Sequence, residues 1–381
     1  MSICLTICEY NPLHSGHLHH LAMSTKLSGA DSLVCIMSGN ACQRGDIAIA
    51  DKYTRATWAI QAGADMVVEL PVQYVLAPAQ IFGLGGVKIA NLFQGDNFLS
   101  FGSECGDIEI LQQLATLSTS GSVDELVQSY LSSGHSYPKA FSMAINDICH
   151  HHNLTNLQDI LSSPNNTLAV EYLNAISSTR SSLTPLTIKR ESGYNDLSVA
   201  GKFCSASAIR SNLDNQDILN KYCPDYVVQD LAHTTTDDTK LFALLKYNLT
   251  NSDNLHDICG IKEGLDNRIR QKLDTSSTFD QLLDNIKTKR YTMAHIKRVL
   301  LNALISNTQP LAQTAHNPIQ YINVLAVRKS KSNLLSLVNA PISTKPAVVE
   351  KLGFDDSLTA RLDNVFKATR YNYDAYLRVI E

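Results

Sequence analysis

The 381-residue chain has no Cys-x-x-Cys pair, and its nine cysteines are odd in number and scattered. That argues against a disulfide framework and against a zinc site built on paired cysteines, and it fits reduced thiols. No apolar run is long enough to cross a bilayer. Met1 leads directly into an apolar strand-like segment, with no basic region, hydrophobic core and cleavage site. A cytoplasmic location is therefore expected. The net charge of −4 is too small to name a partner until it is mapped along the chain. One local absence is more telling. No Asp or Glu occurs between Asp284 and Glu350, although Lys287, Lys289, Arg290, Lys297, Arg298, Arg328, Lys329, Lys331 and Lys345 do.

What is present suits a folded protein. The hydrophobic fraction is 44%, enough for a sizeable core, and the length leaves room for two or three domains. The first half alternates short apolar runs with helical periodicity. Ile3–Cys8, Asp31–Met37, Met66–Pro71 and Phe98–Phe101 read as buried strands, with helices from His17, from Asp51 to about Gln61, and from about Pro78 to Asn91. Residues 107 to 160 read as helical, and Pro185–Arg190 as a further strand. This alternation predicts an α/β fold with a Rossmann-like, doubly wound parallel sheet, whose ligands bind beyond the carboxyl ends of the strands. From about Ile218 the alternation is lost and helical patterns dominate. The expected division is 1–215, the parallel-sheet domain, and 216–381, mainly helical and basic.

The stretch around which the chain is organised is Glu9-Tyr10-Asn11-Pro12-Leu13-His14-Ser15-Gly16-His17. Two histidines flank a serine and a glycine where a strand turns into a helix. Free backbone N–H groups at a helix N-terminus bind phosphate, and glycine permits close approach of a ligand. Imidazoles beside them can stabilise charge developing on phosphate oxygens. Arg44, Lys52 and Arg55 are further candidate cations, or else solvated surface. Pro164-Asn165-Asn166 opens a helix; an Asn there either caps it or reads an adenine or ribose edge. Ser205-Ala206-Ser207-Ala208-Ile209-Arg210 opens another. Its hydroxyls and N–H groups can face an anion while Arg210 neutralises the anion's charge, or Ser205 is an ordinary cap. His150-His151-His152 point in different directions on a helix and no metal site is expected there. The acid-free basic stretch is a footprint for a phosphate backbone, with Lys287, Lys289, Arg290, Lys297 and Arg298 as contacts and Tyr291 able to stack on a base.

The His-x-Gly-His arrangement resembles the nucleotidylyltransferase superfamily, and Ser-x-Ser-x-x-Arg resembles its second signature. Glu9 to His17, with Met37-Ser38-Gly39-Asn40, Gln43-Arg44-Gly45, Glu69-Leu70-Pro71, Phe101-Gly102-Ser103-Glu104, Ser163-Pro164-Asn165-Asn166, Ile188-Lys189-Arg190, Gly193-Tyr194, Lys262–Arg268 and Lys289-Arg290-Tyr291-Thr292, is similar to the bacterial tRNA(Met) cytidine acetate ligase family. The resemblance implies ATP-dependent acetylation of the wobble cytidine of elongator tRNA(Met) to N4-acetylcytidine. Free acetate would be activated as acetyl adenylate, with Mg²⁺ accompanying ATP. It implies that His14 and His17 are catalytic. ATP contacts would fall on Ile7, Glu9, Tyr10, Asn11, Pro12, Gly16 and His20, on Gly102, Asn165, Asn166, Arg190 and Glu191, and on Ser205, Ser207 and Arg210. The sequence departs from the family at Leu13, where Phe is usual, in the loop expected around Ala326–Ser330, and at Leu362, where a small or polar residue is usual. A small-cofactor nucleotidylyltransferase would explain the histidines and Arg210 but not the basic stretch. A catalytically silent RNA-binding protein would explain only that stretch.

Overall fold

The computed structural model describes residues 1–190, 201, 203–232, 234 and 238–370, with the backbone of 378–380. Glu191 and the Gly193-Tyr194 pair lie outside the described residues. Five strands form a parallel sheet: β1 (Ile3–Cys8), β2 (Ser32–Ser38), β3 (Met66–Leu70), β4 (Phe98–Ser103) and β5 (Thr184–Lys189). Their order is β5-β4-β1-β2-β3. The chain runs outward from β1 to β3, then returns to the other side of β1 to lay down β4. This reversal opens a crevice between the carboxyl ends of β1 and β4, where open α/β sheets bind ligands.

Both faces of the sheet are buried, as parallel sheets require. Side chains alternate between them. Ile3, Leu5, Val34, Ile36, Met66 and Val68 pack on one side with Phe82 and Val87 of the helix Ala79–Ala90. Cys4, Cys35, Met37 and Val67 pack on the other with Tyr53 and Trp58 of the helix Lys52–Gln61. Leu13 is fully buried in this second cluster, so the apolar swap there is accommodated as packing. The segment expected to be helical from 107 to 160 is divided into Ile108–Ser118, Gly121–Ser132 and Tyr137–His151, followed by short 3₁₀ turns.

The second half is mainly helical, with Thr239–Asn251, Leu265–Asp274, Phe279–Ile286 and Met293–Leu304 among its helices. It also returns three strands to the sheet. β6 (Ile322–Arg328) pairs antiparallel with β3, and β7 (Ile342–Ser343) and β8 (Arg378–Ile380) both pair parallel with β6. The loop expected around Ala326–Ser330 is therefore corrected: Ala326–Arg328 is the end of a strand. Ile322, Val324 and Val327 are β-branched and buried, and β6 covers what would otherwise be an open edge on β3. Leu362 is likewise buried, within the helix Ser357–Thr369.

Candidate active site

The first helix spans Ser15–Ser28, starting two residues earlier than the spacing predicts, and His14 is its N-cap. The Gly16 N–H donates to His14 Nδ1 at 3.1 Å, and the His14 N–H donates to His17 Nδ1 at 3.3 Å. This is a capping box made from two imidazoles. Both Nδ1 atoms accept, so each neutral ring carries its proton on Nε2. The rings stack with centroids 3.8 Å apart, and the Tyr10 ring meets His17 edge-on at 5.0 Å. Burial pushes His14 down to about 3, with the Arg190 and Arg210 cations adding to the effect. Burial also holds His17 well below the usual range and His20 down to about 4. The helix N-terminus thus presents neutral N–H donors near two guanidinium groups, an arrangement suited to an anion. Gly16 is dictated by the histidine itself: a Cβ there would lie 2.9 Å from His14 Cε1 and displace the ring.

The loop carrying these residues is clamped from three directions. Arg55 is fully buried and donates to Ala50 O at 2.9 Å, to Glu9 O at 2.6 Å, to Ser38 O at 3.3 Å and to Gly39 O. Asn11 Oδ1 accepts from the Ile49 N–H at 2.8 Å. Arg210 donates to Asn11 O at 2.6 Å and to Ser207 Oγ at 3.3 Å. Ser205 caps the short helix Ala206–Arg210, accepting from the Ala208 N–H at 3.0 Å. Tyr10 is buried with its hydroxyl 3.5 Å from Cys35 Sγ. Ile7 lies against Gly86, and Pro12 is buried.

Two candidate cations are corrected. Neither Lys52 nor Arg55 is surface, and neither is open to phosphate. Lys52 Nζ sits 2.9 Å from Glu69 Oε1 and 3.0 Å from Asp363 Oδ2, with all three side chains buried. Arg55 is spent on backbone carbonyls. A cation of this kind is retained inside only when its donors are matched, and both are. Arg44 is half-buried close to Arg298.

Across the crevice, Gly102 faces Arg190. A Cβ at 102 would fall 3.2 Å from Arg190 Cγ, and the Arg190 N–H donates to Ser103 O at 2.8 Å. The Asn pair is separated by its bonding. Glu104 Oε1 accepts from Asn165 Nδ2 at 2.6 Å, and Oε2 accepts from the Asn166 N–H at 2.8 Å. Asn166 Oδ1 accepts from the Glu104 and Cys105 N–H groups at 2.8 and 3.1 Å, and its Nδ2 donates to Ile160 O at 2.9 Å. Asn166 is thus buried and fully engaged, while Asn165 is half-buried. Glu104 is the residue that ties this corner together. Its signal was an acid immediately after β4, placed to meet the positive end of the helix Pro164–Ser178.

The basic residues of the second half divide too. Lys287, Lys289 and Arg290 are exposed, Arg290 pairing with Glu263 at 2.8 Å. Tyr291 is half-buried and its hydroxyl donates to Lys262 O at 2.8 Å. Lys297 and Arg298 face inward. Lys297 Nζ is 2.7 Å from Asp46 Oδ1, and Arg298 donates to Gln43 O at 2.9 Å. Desolvation pushes Arg298 down to about 10. These two cations fasten the helix Met293–Leu304 to the loop after β2.

The doubly wound sheet, the switch-point crevice and the histidine-capped helix define a class, and the family model described as HIGH Nucleotidyl Transferase matches residues 1–376. Within that class the agreement is narrower. A Caldicellulosiruptor saccharolyticus protein named tRNA(Met) cytidine acetate ligase is 36% identical, covering 88% of this chain and 84% of that one. A Clostridium botulinum protein of the same name (strain Okra) is 33% identical over 99% of this chain and 97% of its own. The crystal structure of Thermotoga maritima TmcAL in its apo form superposes with a TM-score of 0.85 at 26% identity, covering 96% of this chain and 92% of that one. The same protein bound with alpha-thio ATP gives 0.82. The chain belongs to the tRNA(Met) cytidine acetate ligase family and is an enzyme of the ligase class.

Proposed function

We propose that this protein activates free acetate with ATP as acetyl adenylate and acetylates N4 of the wobble cytidine of elongator tRNA(Met). The observation that carries this reading is similarity along nearly the whole chain to ligases of that name, so that histidines, Ser-x-Ser-x-x-Arg segment and basic stretch are covered together. In the first step an acetate carboxylate oxygen attacks the α-phosphorus and pyrophosphate leaves. His14 and His17 donate Nε2–H to the phosphate oxygens, supported by the helix N-terminus. Arg190 and Arg210 offset the phosphate charge. Asn165, rather than the saturated Asn166, is the member of the pair left to meet the nucleotide. Mg²⁺ bound with ATP would offset the charge of its phosphates. In the second step the cytidine N4 amine attacks the acetyl carbon and AMP leaves. The wobble base is expected to be flipped out for this. Lys287, Lys289, Arg290 and Tyr291 form the exposed part of the tRNA surface, and the reaction belongs in the cytoplasm, where tRNA is modified.

The test is a nucleoside digest of unmodified elongator tRNA(Met) after incubation with protein, ATP, Mg²⁺ and acetate, read by mass spectrometry. Acetylated cytidine that vanishes without acetate, and is not restored by acetyl-CoA, is the expected result. Unmodified cytidine, with pyrophosphate released only when a small phosphate ester is supplied, would turn the assignment to small-cofactor synthesis.

A further inference from the structure

The histidine pair and the arginines serve the phosphates, and the transfer step still lacks a proton acceptor. The exocyclic amine of cytosine has its lone pair delocalised into the ring and must lose a proton as it acylates. His14 and His17 are poor acceptors, because their Nδ1 atoms are already engaged and burial disfavours their protonated forms. Among the other carboxylates here, Asp46 is paired through Oδ1 to Lys297 and lies 3.9 Å through Oδ2 from Arg210. Glu104 is occupied by the Asn165-Asn166 corner.

Glu9 differs from both. It follows β1 directly and leads into the histidine loop. Its carbonyl is held by Arg55 and its Oε1 accepts from the Gln43 N–H, each at 2.6 Å. The first bond holds the main chain and the second the side chain, while Oε2 carries no hydrogen bond among the described residues. The residue as a whole is half-buried. The charges of Arg210, Arg55 and Asp46 act on the carboxylate. Cys42 and the buried Tyr172 feel its charge from their own elements. Burial raises the Glu9 carboxyl above the usual carboxylate range, with the Gln43 N–H and Arg210 opposing. That moves a carboxylate toward the range in which it both stays ionised and accepts a proton usefully.

We propose that Glu9 is the general base of acetyl transfer, its Oε2 accepting the proton lost by cytidine N4. The N–C bond forms at the acetyl carbonyl carbon, the bond from that carbon to the phosphate oxygen breaks, and AMP leaves with the electron pair. The proton passes from Glu9 to solvent. This inference rests on the acetyl-adenylate reading above.

The experiment uses full-length wild type, Glu9→Gln and Glu9→Asp. Acetate-dependent ATP–pyrophosphate exchange without tRNA reports the first step. Single-turnover transfer to unmodified elongator tRNA(Met), measured from about pH 5 to about pH 9, reports the second. Glu9→Gln keeps an acceptor for the Gln43 N–H. Its transfer rate should fall by about 10²-fold or more, the usual contribution of a general base, and lose the acid limb of its pH profile. Because Glu9 also lies among the expected ATP contacts, exchange serves as the reference: transfer should fall further than exchange in Glu9→Gln, and Glu9→Asp should recover part of the transfer rate. Unchanged transfer, or equal losses in both steps with the acid limb intact, would overturn the proposal. Absence of acetate-dependent exchange in the wild type would instead remove the adenylate reading beneath it.

Discussion

At the scale of single residues, hydrogen-bond bookkeeping divides neighbours that look equivalent in sequence. Asn165 and Asn166 are adjacent amides at one helix N-terminus, yet only Asn166 satisfies Glu104 N–H, Cys105 N–H and Ile160 O. Asn166→Ala leaves those buried groups without partners and should cost about 1–3 kcal/mol of stability. Asn165→Ala should leave the urea midpoint nearly unchanged while raising KM for ATP. Urea denaturation and initial-rate kinetics on the two variants check this; a reversed pattern would reassign the pair. Lys52 poses a different problem. Lys52→Met leaves Glu69 and Asp363 facing each other in the interior without their cation. A loss of about 3–5 kcal/mol is expected, read by urea denaturation, because breaking one partner of a buried pair costs more than the pair contributes. Burial already raises the Glu69 carboxyl, and the Lys52 cation works against that rise.

At the scale of elements, the helix Met293–Leu304 joins the two halves of the molecule. Gly45 has φ +80° and a Cβ there would come within 2.6 Å of the Lys297 carbonyl carbon. Backbone therefore meets backbone at this seam, and Lys297 and Arg298 close it from either side. The positive charge of the stretch has two destinations, an inner one that docks and an outer one that stays exposed, where the proposed function puts the tRNA. Lys289→Ala and Arg290→Ala should each weaken tRNA binding evenly across sequences. Each should also reduce the slope of log affinity against log salt by about 1 or less. Lys297→Ala should leave that slope unchanged and lower the thermal midpoint instead. Filter binding over a salt series, with thermal melts of the same proteins, separates the two groups. An equal slope change at Lys297 would place it on the RNA surface.

At the scale of the whole molecule, buried histidines set the response to acid. His14 in the folded state lies at about 3, and His20 and His295 at about 4, below the ordinary value of about 6.5. Between those values the unfolded chain binds more protons than the folded one. Stability from these groups is complete above about pH 6.5 and is lost as pH falls, at about 1.4 kcal/mol per pH unit for each. Glu9 and Glu69, raised by burial, act in the opposite sense. His14→Asn keeps a capping side chain and removes one imidazole. Its urea stability should decline less steeply than wild type between about pH 6.5 and pH 4. Parallel curves would show that His14 is not a linked group.

Much of the local geometry was legible in the linear chain, because it depends on local rules. A β-branched run, a turn and a histidine-flanked glycine mark a strand-to-helix junction, and the structure puts the helix N-cap at His14. The strand–helix alternation specifies a doubly wound sheet for similar reasons of period and burial. The sequence by itself also determined where positive charge accumulates, from Lys287 to Lys345. What it left open were matters of direction and partner. Whether Lys52 and Arg55 faced solvent, which Asn was free, and which lysines turned inward depend on contacts such as Lys52–Asp363 and Lys297–Asp46, between segments hundreds of residues apart. β6 carried a readable apolar run, but its place beside β3 rests on an edge needing a partner, which is a property of the assembled sheet. Desolvation decided the rest. The histidines became neutral donors and the Glu9 carboxyl was raised because the folded chain removed water from them, and no spacing of letters measures that.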